Sequence, residues 1–136
     1  MGDNRLLAFA LFEGLTVEEC EEVSIDGAEI SYGGGCYHVC TDEEADELTA
    51  EYIKESVWAF NPGFLSNQTG IDQEVFEMLS EKCEGANDAI LSMIDDFKGF
   101  VADAIAADGR GHFLNNWDGS ETEQKAQNEM YFIYRN

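Results

Sequence analysis

The chain has 136 residues, 44% hydrophobic and 12% aromatic, which excludes a disordered acidic tail and provides for a real core. Twenty-nine Asp and Glu against seven Lys and Arg leave a formal charge of −22, which excludes electrostatic binding to nucleic acid or to an anionic membrane. Such a chain attracts basic surfaces instead, and the commonest large ones in a cell are nucleic-acid-binding clefts.

In chain order, "LLAFALFE" at 6–13 reads as a short apolar helix ended by Gly14. Its apolar stretch falls far short of the roughly 18 residues of a membrane span. With no basic region beyond Arg5 and no small-residue cleavage site, a signal peptide is not expected and a cytosolic setting is. "TVEECEEV" follows as an acidic turn. Asp26-Gly27 is a hairpin signal, followed by "AEISY", Gly33-Gly34-Gly35 and "CYHVC", read together as two or three antiparallel strands. On a strand Cys36, His38 and Cys40 share one face, where a soft metal could be caught with Cys20 or Cys83 as a further ligand. Three alternating ligands on one strand are not a structural-zinc spacing, and free cysteine is among the most buried residue types, so core packing is expected and metal is not. The same cysteines, with nine Phe, argue against adaptation to high salt as the origin of the acidity.

Thr41 opens the clearest helix, because "TDEE" is a capping box in which Thr41 and Glu44 exchange hydrogen bonds. Ala45, Leu48, Tyr52, Ile53, Val57 and Phe60 form its apolar stripe, and Asn61-Pro62-Gly63 is expected to end it. A second helix spans 72–83 with Val75, Phe76 and Leu79 inward. A third spans 87–107 on Ile90, Ile94, Phe97, Val101 and Ile105, in phase across Gly99. "MYFIYR" is a final strand, expected to pair with the hairpin near the start. The whole reads as a single α+β domain over 1–136, with a small antiparallel sheet packed against three to four helices.

Between the third helix and the last strand lies "DGRGHFLNNWDGSE". Gly109 suits the left-handed position that closes a helix, and Arg110 is favourable beside a negative helix end. Phe113, Leu114 and Trp117 read as anchors to the core. Arg110 and His112 could instead form an anion site or acid–base pair. Yet the segment has no GK[ST] element, no preceding strand and no nucleophile elbow, so a structural corner is expected.

"TDEEADE" at 41–47, "SVWAFNPGFLS" at 56–66, "DGRGHFLNNWDG" at 108–119 and "YFIYRN" at the end together resemble a group of small proteins encoded by bacteriophages and prophages. The resemblance covers roughly residues 37–136 and implies a setting, the cytoplasm of a bacterial host, without implying a reaction. Cys36 and Cys40 depart from the aliphatic and acidic residues more usual at those positions, which weakens the metal reading further.

Glu43, Glu47, Glu51 and Glu55 follow one another at i, i+4, with Lys54 the one cation among them. Like charges at that spacing cost a helix a few tenths of a kcal/mol each. Phosphates along a DNA strand are spaced on a comparable scale, so such a helix can imitate a stretch of backbone. Glu18 and Glu22, with Glu19 and Glu21, form a second cluster, and Glu77 and Glu81, with Glu84, a third. A solvated helix face is the ordinary fate of a charge run, but an ordinary face mixes signs. The expectation is a phage-encoded inhibitor that occupies the basic groove of a host nucleic-acid-binding or defence protein, such as a CRISPR effector or a restriction enzyme. It would need no cofactor or metal, would perform no catalysis, and would contact neither nucleic acid nor membrane directly. Two other classes compete: a small enzyme drawing on Arg110 and His112, and a virion assembly protein whose acidity mimics nothing.

Overall fold

The computed structural model describes residues 4–16, 19, 24–26 and 28–136, with backbone alone for 24–26. It is α+β, and among the described residues it holds seven α-helices and five strands. The helices outnumber the three to four expected because the 87–107 pattern is broken in two and because Pro62–Thr69 and Arg110–Leu114, read as a helix stop and a corner, are helical as well. Contacts gather into two compact units, one of residues up to Thr49 together with Asp108–Asn136, the other Ala50–Ala107.

The first unit is built on an antiparallel sheet of order β1-β2-β3-β5-β4, with β1 Ser24–Asp26, β2 Glu29–Tyr32, β3 Gly35–Cys40, β4 Thr122–Ala126 and β5 Glu129–Arg135. Gly33 and Gly34 both take positive φ, 57° and 79°, as a tight turn between β2 and β3 requires. The final strand pairs with the early hairpin as expected, Val39 facing Ile133 and Tyr37 facing Arg135. β4 is a strand the sequence reading did not include; it forms a second hairpin with β5, closed at Gln127 with φ 59°. Helix α1, Arg5–Glu13, ends as expected at Gly14 in the left-handed conformation. Its Ala8 and Phe9 pack with Ile30, Tyr37, Val39, Tyr131 and Ile133 on one face of the sheet. On the other face Cys40 and Tyr134 pack with Ala45 and Leu114. Because strand side chains alternate between faces, β3 contributes Tyr37 and Val39 to one cluster and Cys40 to the other.

Helix α2, Asp42–Ser56, starts at the capping box: the Glu44 N–H donates to Thr41 Oγ1 at 3.3 Å and the Thr41 N–H to Glu44 Oε1 at 2.9 Å. Ala45, Ile53 and Val57 are fully buried, as read from the stripe, but Tyr52 is 46% exposed. Its place is taken by Thr49, which is buried because its hydroxyl donates to the Ala45 carbonyl at 2.7 Å.

In the second unit Asn61-Pro62 does not simply end a helix. α2 stops at Ser56, a 3-10 turn covers Val57–Ala59, and Asn61 caps a new helix, α3, Pro62–Thr69, with proline at its first position. Helix α4, Gln73–Ser80, buries Phe76 but leaves Val75 at its surface. The expected third helix is two: α5, Asn87–Ser92, and α6, Phe97–Asp108. Asp96 accepts from the Gly99 N–H at 3.1 Å and so starts α6 afresh. The break resets the helical phase, so Phe100 and Ala104 are buried beside Val101, while Phe97 and Ile105 are only half-buried. Phe60, Phe64, Phe97 and Phe100 form an aromatic cluster in this unit with ring centroids 5.3–6.4 Å apart.

Candidate functional site

Helix α2 carries seven carboxylates, and the structure sorts them into two sets. Glu44 is held by Arg5 through two bonds, 2.6 and 3.1 Å long, and the same guanidinium donates to the Val39 carbonyl at 2.6 Å. That hydrogen bond from Arg5, against burial and with help from Thr41, holds the Glu44 carboxyl below the ordinary carboxylate range. Asp42 and Asp46 are both held by Arg110, at 2.9 and 3.0 Å. The remaining four, Glu43, Glu47, Glu51 and Glu55, are all exposed, and none makes a hydrogen bond or ion pair with a described residue. The two buried arginines therefore neutralise one part of the helix and leave the ladder bare.

At a rise of about 1.5 Å per residue the ladder carries one charge per roughly 6 Å of axis over roughly 18 Å, and its row is inclined by about 26° to that axis. A DNA strand carries one charge per about 3.4 Å of its axis. The ladder is thus a sparser line of charge than a phosphate backbone, about half as dense.

The other acidic clusters contribute less. Glu18 and Glu22 lie outside the described residues, as does Glu21. Glu19 is spent locally, exchanging hydrogen bonds with Thr16 at 2.9 and 3.2 Å. Glu77 and Glu81 are exposed at the end of α4, where Glu77 accepts from Gln73 at 3.0 Å.

The glycine-rich segment is a corner of defined construction. Gly109, at φ 82° and ψ 154°, is not in the left-handed helical conformation expected but in an extended positive-φ region open to glycine alone, and it leads into α7, Arg110–Leu114. A Cβ on Gly111 would land on the Gly119 carbonyl oxygen and 2.9 Å from that of Ser120, so glycine is needed for two stretches of backbone to meet. Asn115 Oδ1 accepts from the Trp117 and Asp118 N–H groups at 2.9 and 3.0 Å, an Asx turn that folds the segment back toward β4. Phe113 and Leu114 are buried as expected; Trp117 is not, and lies 66% exposed against the Arg135 guanidinium.

Arg110, whose side chain is 9% exposed, does not act as a lone cation at a helix end. It meets Glu121 at 2.8 Å as well as Asp42 and Asp46, and lies 4.7 Å from the centre of the Phe132 ring. Burial works against its charge, but the hydrogen bonds it donates to Glu121 and Asp42 outweigh that and hold the guanidinium protonated. Glu121 also accepts from the Tyr134 hydroxyl, whose pKa is raised by burial and then by that bond. His112 is exposed and rests edge-on to Phe113, with centroids 5.0 Å apart. Side chains two positions apart on a helix do not face each other, and Arg110 and His112 make no pair.

Cys36, His38 and Cys40 share a strand face, as the alternation requires, and each has its own surroundings. Burial, and then the Glu44 charge, push the Cys40 thiol up to about 12. Burial also raises Cys36, ahead of Glu29, and lowers His38. Among the described residues no three His, Cys, Asp or Glu side chains converge as a metal site; Cys20 lies outside them. No helix among them is long and apolar enough to cross a membrane. The chain matches no protein-family model, no curated protein and no solved structure.

Proposed function

We propose that the protein is a bacteriophage-encoded inhibitor acting in the bacterial cytoplasm, which occupies the nucleic-acid-binding groove of a host protein with the bare carboxylate ladder of α2. The observation that carries the reading is the sorting of charge on one helix: Asp42, Glu44 and Asp46 are neutralised by arginines, while Glu43, Glu47, Glu51 and Glu55 form no ion pair with a described residue. A row of like charges costs a helix stability, and it is useful where a basic surface relieves it. The phage setting rests on the resemblance of residues 37–136, and it makes defence nucleases the natural targets. At about half the charge density of a DNA strand, α2 alone does not outcompete nucleic acid by charge; shape and contacts beyond the ladder must add to it.

The test is capture from nuclease-treated bacterial lysate on the immobilised protein at low salt. The expected result is enrichment of nucleic-acid-binding proteins, released by added duplex DNA or by salt, and their loss when all four ladder residues are Gln. Partners that have no nucleic-acid site, or that the Gln variant retains, would contradict the reading.

A further inference from the structure

Beyond the end of α1, on the same face of the sheet, a cleft of about 290 Å³ is lined by Phe12, Glu13, Tyr37, Trp117, Asp118 and Arg135 among others. Pairing of β3 with β5 sets Arg135 beside Tyr37, and the Trp117 N–H donates to the Arg135 carbonyl at 3.2 Å, laying the indole over the guanidinium. The guanidinium is 3.9 Å from the Trp117 ring centre and 5.6 Å from that of Tyr37. Its Nε is buried, and among the described residues that atom has no hydrogen-bond partner and the group no ion pair. In a chain with 29 carboxylates, where Arg5 and Arg110 are both held by them in ion pairs, an arginine lining a cleft that feels Asp118 through its charge but forms no ion pair with a described residue has donors to offer a ligand.

The charges around the cleft define that ligand. Asp118 accepts from the Ser120 N–H and hydroxyl at 3.0 and 2.7 Å, and those bonds, with a smaller contribution from the Arg135 charge, hold its carboxyl below the ordinary range. Glu13 is exposed and makes no hydrogen bond with a described residue. Tyr37 senses both signs: its hydroxyl pKa is raised by burial, then by Glu13, and lowered by Arg135. A net charge of −22 repels an anion such as phosphate before it arrives, but not a molecule of zero net charge. The volume lies at the small end of ligand clefts, room for one small molecule. We propose that the cleft binds a free α-amino acid with an apolar side chain. The carboxylate meets Arg135, the ammonium meets Glu13, and the side chain lies against Phe12, Tyr37 and Trp117.

The test is titration of the whole protein with each of the twenty L-amino acids, followed by nuclear magnetic resonance at the Trp117 indole and Arg135 Nε. An apolar amino acid is expected to give saturable shifts at both. N-acetyl-L-phenylalanine, phenethylamine and inorganic phosphate, which lack one charge or carry net charge, are each expected to bind at least about tenfold more weakly. Arg135→Gln is expected to abolish binding and Glu13→Gln to weaken it. Removing a carboxylate from the C-terminal end of α1 does not harm the helix, so Glu13→Gln remains decisive even where Arg135→Gln fails to fold. No saturable shift with any of the twenty, equal binding of phosphate or of the N-acetyl compound, or parental affinity in Glu13→Gln would overturn the proposal.

Discussion

Replacing Arg110 by Met removes the cation of the corner while keeping an apolar stem that can still cover Phe132. Asp42 and Asp46 are 72% and 60% exposed at their side chains, so each of their ion pairs contributes only about 0.5 kcal/mol. The bond to Glu121, 29% exposed, is charge-assisted and contributes about 1–2 kcal/mol. Loss of the cation above Phe132 adds about 0.5–1 kcal/mol. The substitution also leaves three carboxylates without their shared partner, so a total of about 3 kcal/mol is expected, a sizeable part of a typical domain's 5–15. That corresponds to a fall in melting temperature of roughly 10 °C. Urea and thermal unfolding followed by circular dichroism measure it, and a cycle with Glu121→Gln should show coupling of about 1–2 kcal/mol. Any inhibitory activity should fall in parallel and return at lower temperature. Stability within about 0.5 kcal/mol of the parent, without coupling to Glu121, would refute the structural role. Activity lost at unchanged stability would point to chemistry at this segment instead.

Gly111→Ala should destabilise by about 1–3 kcal/mol, since its Cβ meets backbone that cannot give way, whereas Gly85→Ala, which meets nothing, should be neutral or slightly stabilising; thermal melts of the two compare them. Glu44→Gln keeps the capping box but loses the full charge facing Arg5. Because the folded-state pKa of Glu44 is depressed, its contribution should be complete above the ordinary value of 4.5 and disappear as pH falls through the folded value. Parent and variant should therefore differ in urea midpoint at pH 7 and converge in acid; a constant difference would contradict the assignment. Replacing Glu43, Glu47, Glu51 and Glu55 by Gln should leave the melting temperature equal or higher, and a marked drop would mean that the ladder has internal partners.

The capping box, the Gly14 stop, the glycine hairpin and the pairing of the last strand were legible because each rests on local chemistry with few alternatives. The breaks within the helical patterns were not, although signals existed: Asn61-Pro62 is a helix start as much as a stop, and Asp96 precedes the apolar run of α6 as an N-cap. β4 reads "TEQKA", with little strand propensity, and is held by its neighbour β5 and by α1 instead. The ladder was visible as spacing. That Asp42, Glu44 and Asp46 would be neutralised was not, because Arg5 is 39 residues from Glu44 and Arg110 64 and 68 residues from Asp46 and Asp42, so they meet α2 only through the fold. The Arg135 cleft is assembled from α1, β3, the 115–120 turn and β5, so no single stretch of sequence carries it.

Inhibition by occupancy through the α2 ladder is tested by titrating a captured target at fixed concentration and reading its nucleic-acid binding. Occupancy requires a loss of binding that completes at one equivalent, weakens as salt rises, and is abolished by the four Glu→Gln replacements at unchanged folding. Complete inactivation far below one equivalent, or full inhibition by the four-Gln protein, would contradict it.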